Sequence, residues 1–308
     1  MNRVFFLGPQ RFRPTLVATL DRIGVEGTVA AITAGWQERE QEVGELQDHI
    51  HRELINLRLY ERAEEVFAED AELRDAVHER QQWLREEQSL YRRRLAHTLN
   101  AAREVMTLDG RDRFVREHRQ AAIRAVRTLD RQHLTRVRRI HAEFEERMKP
   151  SRRPAVAAQR EQLQEVIGAA SAVAIAGGHV AVLLNRLRLF GFAQLLADRV
   201  VVAWSAGAMA LTGRVILFHD RPPQGAGDAE VLDAGLGLVD GIIALPHARR
   251  RLDLDDPVRV ALMARRFSPD LPALLDVGSE FVYDGSWRPG ESARKLSRRG
   301  GVVEFKHS

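Results

Sequence analysis

A serine hydroxyl is a poor nucleophile near neutral pH, so a serine that does chemistry is recognised by its surroundings. Ser205 lies in "VVVAWSAGAMAL", residues 200–211, where an apolar strand ends and Ala206, Gly207 and Ala208 let the chain turn at once into a helix. That setting would lift the hydroxyl above a sheet edge and aim the Ala206 N–H at a developing oxyanion. Ala203 occupies the first position of the G-x-S-x-G pattern, and the same string would also serve as a plain tight turn. A nucleophilic serine needs a base, commonly a histidine oriented by a carboxylate. His247 in "ALPHARRR" follows a strand and a proline, and Asp220 in "FHDRPP" follows the strand Val215 to Phe218. Serine, aspartate and histidine, each at a strand exit, can thus supply nucleophile, orienting carboxylate and general base. His219 competes as base, although its place beside Asp220 suits a neighbour better.

Taken together, "AWSAGAMAL", "HDRPP", "GLGLVDGIIALPH" and "AIAGGHVAVLL" resemble the serine peptidase family of aspartyl dipeptidase and cyanophycinase. The resemblance covers about residues 1–36 and 155–308. It implies the class I glutamine amidotransferase-like fold, an α/β three-layer sandwich with a mostly parallel sheet. It also implies a serine hydrolase that cleaves short peptides or related amides through an acyl-enzyme. Glutamine hydrolysis on this fold uses a cysteine elbow, and the chain has no cysteine. In this reading Ser205 attacks the carbonyl, His247 moves the proton and Asp220, fifteen residues after the serine, fixes the imidazole. Gly177 and Gly178 match the family's G-G turn, so Gly178 joins Ala206 in the oxyanion hole, and His179 departs from the family's usual Asn or Asp. The dipeptidase places a substrate-binding arginine beyond the histidine, where this chain reads "LDLDDP". Arg249, Arg250 and Arg251 could replace it, whereas Asp253, Asp255 and Asp256 would instead suit a basic substrate.

The elements that must hold these residues show three textures. Residues 1–36 read as strand, helix, strand: Val4 to Gly8, Pro14 to Ile23 and Thr28 to Ala34. Residues 37–154 read as a helical insertion. Val43, Leu46, Ile50, Leu54 and Leu57 are spaced as one face of a first helix. Leu73, Val77, Leu84, Tyr91 and Leu95 mark a second that ends at "LDG", residues 108–110, and a third runs from Val115 to Met148. These stripes predict an antiparallel bundle or long hairpin, closed by "KPSRRP". From Ala155 onward strand and helix alternate again, with strands too apolar to show a wet face, which predicts a parallel sheet covered on both sides. The insertion leaves from the carboxyl end of the second strand, the edge where open α/β sheets bind ligands. It is therefore expected to overhang the site, with Trp36 and Glu38 at the mouth, or to dock a protein partner or a second copy.

Of 47 basic residues only Lys149, Lys295 and Lys306 are lysine, and the net charge is +4. The arginines alternate with acids rather than forming a block of one sign, so neither nucleic acid nor membrane is an expected partner. Without cysteine there are no disulfides and no thiolate metal sites. His49 and His51 are two apart and share no helix face, so no metal or other cofactor is expected. Neither a signal segment nor a spanning helix is apparent, which reads as cytoplasmic. The opposing functional class is a catalytically inactive amidotransferase-like scaffold whose helical insertion binds other proteins.

Overall fold

A computed structural model describes residues 3–110, 113–220 and 227–306. Its central layer follows from strands too short and too apolar to tolerate a solvated face. Five run parallel: β1 (Arg3–Leu7), β2 (Val29–Ile32), β3 (Leu54–Asn56), β4 (Ala172–Ile175) and β5 (Val200–Trp204), in the order β1-β5-β4-β2-β3. Alternate side chains enter separate cores. Val4, Phe6, Val201 and Ala203 face one side, and Phe5, Leu7, Val202 and Trp204 the other.

The later strands do not all join that sheet. The strands β6 (Val215–Leu217) and β7 (Glu230–Asp233) pair antiparallel as a separate two-stranded sheet. The parallel pair β8 (Ile242–Pro246) and β9 (Leu271–Leu275) heads a second sheet of four strands. Two more, β10 (Glu280–Tyr283) and β11 (Trp287–Pro289), extend the central sheet antiparallel beyond β1, while β12 (Arg294–Leu296) and β13 (Val302–Glu304) complete the second sheet beside β9. The protein is thus a mixed α/β structure with a parallel-rich central sheet.

Helices cover both faces of the central sheet. On one side α1 (Leu16–Arg22) and α2 (Gly44–Ile50) bury Leu16, Leu20, Leu46 and Ile50 against Phe5 and Leu7. The opposite core takes side chains from α3 (Leu59–Glu69), α6 (Pro154–Ala169), α7 (Val180–Leu189), α8 (Phe192–Leu195) and α9 (Ala206–Leu211). The stripe expected to form one helix from Val43 to Leu57 is broken. His51 adopts a left-handed conformation (φ 51°, ψ 27°), which ends α2, and Leu54–Asn56 then pairs with Val29–Ala31 as the edge strand β3. Helical spacing therefore held only to Ile50, because the β2 edge offered backbone partners that a longer helix would have left unpaired.

Two long helices, α4 (Ala71–Thr107) and α5 (Arg113–Met148), pack against each other as a hairpin. Each is about 54 Å long at 1.5 Å per residue. Tyr91, Leu95 and Leu99 follow one another every four residues along α4. They meet Ile123, Val126 and Leu129 of α5, and each such apolar side chain contributes about 1.5–3 kcal/mol on burial. Both helices also rest on α11 (Pro257–Arg266), which follows the four-residue helix α10 (Ala248–Arg251). Among the described residues no helix is long and apolar enough to cross a membrane.

The hairpin is fastened to the body by two buried polar networks. In the first, the Arg266 guanidinium donates to both Asp130 oxygens at 2.6 and 2.7 Å, Tyr91 donates to Asp130 at 2.8 Å, and the Val231 N–H donates to the Tyr91 hydroxyl at 3.2 Å. His133 stacks on Tyr91 with ring centroids 4.0 Å apart. In the second, His141 contacts Asp233 at 2.7 Å and also Arg188, while Arg80 lies 4.1 Å over the Phe144 ring. Burial pushes Arg80 down to about 10.

Candidate active site

Ser205 follows β5 directly, with φ 52° and ψ −122°, a backbone region that costs a residue with a Cβ on the order of 1–3 kcal/mol. Something must enforce that cost, and the packing around it shows what does. A Cβ on Gly177 would lie 2.7 Å from the Ser205 Cβ, one on Gly207 would lie 2.3 Å from the Ile175 carbonyl, and one on Gly35 would lie 2.5 Å from the Gly177 carbonyl. Three backbone segments, after β2, β4 and β5, therefore meet at distances that only glycine permits. Ala203 is fully buried in the strand, so its extra methyl is absorbed by the core.

Ser205 and His247 line one cavity of about 950 Å3 at the carboxyl ends of the central strands, as do Gly177, Gly178, His179, Ala206 and Trp36. The two side chains sit on different sheets. Ser205 follows β5 of the central one, and His247 follows β8 of the second, with a left-handed backbone (φ 57°, ψ 38°) at the head of α10. His179 caps α7: its Nδ1 accepts from the Val182 N–H at 3.3 Å, and its own N–H donates to the Gly35 carbonyl at 2.7 Å. That donation places His179 in the framework of the turn, beside Gly178 (φ 114°), while Ala206 begins the helix that follows Ser205.

The carboxylates are arranged differently from expectation. Asp220 is buried, and it accepts from Arg259 and from the Asp253 N–H, both at 2.7 Å. No hydrogen bond joins it to His247 among the described residues, and it lies outside the cavity that Ser205 lines. Asp220 follows β6 of the separate two-stranded sheet, and its carboxylate is engaged by Arg259. Asp276 is the sheet neighbour of His247, although it too lies outside the cavity lining and has no hydrogen bond to the imidazole among the described residues. It follows β9, the parallel neighbour of β8, and the His247 N–H donates to the adjacent Leu275 carbonyl at 3.0 Å. Asp276 accepts from the Arg249 N–H at 3.1 Å. Burial raises the Asp276 pKa above the usual carboxylate range, opposed by that N–H and by the charges of Arg249 and His247. Burial likewise lowers the His247 pKa below 6.5, helped by Arg251 and opposed by Asp276. A neutral imidazole with a carboxylate alongside is equipped to take a proton from an alcohol. The sequence signal for Asp276 was present, as an aspartate at a strand exit, but only the pairing of β8 with β9 reveals it. His219 does not line the cavity, and its Nδ1 is buried without a hydrogen-bond partner among the described residues.

The first residues of the expected insertion line the cavity, whereas the long hairpin does not. Among the described residues lining the cavity none comes from α4 or α5; the wall is built by Trp36, Arg39, Glu42, Glu45, Leu46 and His49, and the rim by Arg11 and Phe12. Glu38, also expected at the mouth, lies outside the lining and accepts from the Tyr60 hydroxyl at 2.9 Å. Arg250 and Arg251 line the cavity, whereas Arg249 turns to Asp276, 3.8 Å away. Arg39 is paired with Glu42 at 2.8 Å, while Arg11, Arg250 and Arg251 have no carboxylate partner among the described residues.

Residues 125–264 match the family model described as Peptidase family S51, a segment that contains Ser205 and His247. Over that segment the chain is similar to the peptidases of family S51. The S51 segment begins within α5, so the second helix of the hairpin lies partly inside it. A crystal structure from Listeria monocytogenes EGD-e, assigned to peptidase E by its description alone, aligns with a TM-score of 0.43 at 11% identity. The alignment covers 96% of this chain and 100% of that one, a likeness too distant to argue from. A search of curated proteins gave no match.

Proposed function

We propose that this S51 relative is a peptidase that hydrolyses short peptides bearing an anionic group, through Ser205, His247 and Asp276. One observation carries the reading: the one serine among the described residues lining the large cavity has a strained backbone at a strand exit and shares that cavity with a neutral histidine. Ser205 Oγ attacks the scissile carbonyl while His247 accepts its proton. The backbone amides of Ala206 and Gly178 stabilise the oxyanion, and His247 then returns the proton to the leaving amine. The acyl-enzyme is cleared by water through the same histidine. Asp276 takes the role that the sequence suggests for Asp220, orienting the imidazole and stabilising its protonated form. The guanidinium groups of Arg11, Arg250 and Arg251, which have no carboxylate partner among the described residues, favour a carboxylate on the substrate.

The test is a digest of a peptide library together with labelling by a fluorophosphonate. Cleavage concentrated at acidic residues or free carboxyl termini, with cleavage and labelling both absent in Ser205→Ala, is the expected result. A folded wild-type protein that neither cleaves nor labels would sink the reading and favour a scaffold. Asp276→Asn is expected to lower kcat by about 10⁴, the scale set by losing the carboxylate that fixes the catalytic tautomer.

A further inference from the structure

The helix that carries the base is too short to hold itself. Helix formation is costly to nucleate, and the four residues of α10 close only one turn, so the position of His247 must be imposed by its neighbours. Its front is held by β9, through the Leu275 carbonyl and the Asp276 carboxylate. Its back is held by Asp220: the Asp220 N–H donates to the Arg251 carbonyl at 2.8 Å, and the Asp253 N–H donates to Asp220 Oδ2 at 2.7 Å. The Asp220 carboxylate is gripped in turn by Arg259 of α11, which also donates to the Gly227 carbonyl at 2.8 Å.

The helix α11 is itself held by the hairpin. Arg266, two turns beyond Arg259, is buried against Asp130 of α5 and Tyr91 of α4. Arg103 of α4 pairs with Asp228, which lies 3.8 Å from Arg259. We infer that the hairpin is a positioning device for the catalytic base, acting through α11 and the Arg259–Asp220 pair on the back of α10. Asp220 and Arg259 are then positioning residues. The hairpin serves turnover from behind the site, where it meets no substrate. This rests on His247 being the base.

The experiment compares Asp220→Asn, Arg103→Met and their double variant with wild type, using Arg127→Met as a hairpin control. Arg127 donates to the Ser268 carbonyl and stands outside the relay. Kinetics on a cleaved peptide are measured alongside the NMR titration of the His247 imidazole. Asp220→Asn should lower kcat by 10- to 50-fold, and Arg103→Met by 3- to 10-fold, with KM changed less than twofold. The double variant should be no worse than Asp220→Asn alone, because coupled residues are non-additive. In both single variants the His247 pKa should rise toward its ordinary value, as a loosened α10 regains solvent and moves Arg251 away. Arg127→Met should match wild type in every readout. A 10⁴-fold loss in Asp220→Asn would make it the orienting acid and overturn the inference. So would additive effects, or an Arg103→Met variant indistinguishable from Arg127→Met. Should Asp220→Asn fail to fold, Arg103→Met decides alone, since both members of its ion pair are partly exposed. A wild type that cleaves nothing would refute the peptidase reading, while the imidazole titration would still support or overturn the mechanical relay.

Discussion

Gly177 leaves no room for a side chain, since its Cβ would meet the Ser205 Cβ at 2.7 Å. Gly177→Ala must therefore displace Ser205, the proposed nucleophile, and a shift of about 1 Å can cost roughly 10²-fold. We expect kcat to fall by about that factor in steady-state assays, with far-UV circular dichroism unchanged. Arg251 lowers the His247 pKa, so Arg251→Gln should raise it and move the acid limb of kcat/KM to higher pH. Asp276→Asn, read in the same pH profile, should move that limb the other way. That Ser205 and His247 share one cavity was legible because a hydroxyl and an imidazole at strand exits leave a local pattern. The direction of a carboxylate is not local: Arg259, 39 residues downstream, holds Asp220, and Asp276 comes beside His247 only because β8 and β9 are neighbours.

The long helices α4 and α5 were legible as well, because only a long helix sustains an apolar stripe of that spacing over 36 residues. A three-residue strand such as β3 has no such signature, and the apolar spacing of Leu54 and Leu57 imitated a helix until the β2 edge was known. Nor does periodicity say where a hairpin docks. Its seat depends on single polar residues, which suggests a direct measurement. Tyr91→Phe removes a hydroxyl that bonds Asp130, Arg266 and the Val231 N–H, and urea unfolding should show a loss of about 1–3 kcal/mol. Asp130→Ala strands the buried Arg266 charge and should cost about 3–5 kcal/mol in the same assay.

Acid should loosen the attachment of the hairpin to the body. His141 is buried against Asp233, Arg188 and Arg80, and burial holds its pKa below 6.5. Below pH 6.5 the unfolded chain therefore binds a proton that the folded chain refuses. The stabilisation is complete above that pH and fades as pH falls toward the lowered value. Thermal unfolding from pH 8 to 5 should show a steeper decline in wild type than in His141→Gln, by about 2–4 °C for each kcal/mol lost. The placement of Ser205 behind β5 and His247 behind β8 has a broader consequence. The alcohol and the imidazole ride on separate slabs, and no shared strand sets their spacing. A slight sliding of one slab over the other would part them while each remains intact, so gentle warming should silence turnover reversibly, several degrees before any strand or helix melts.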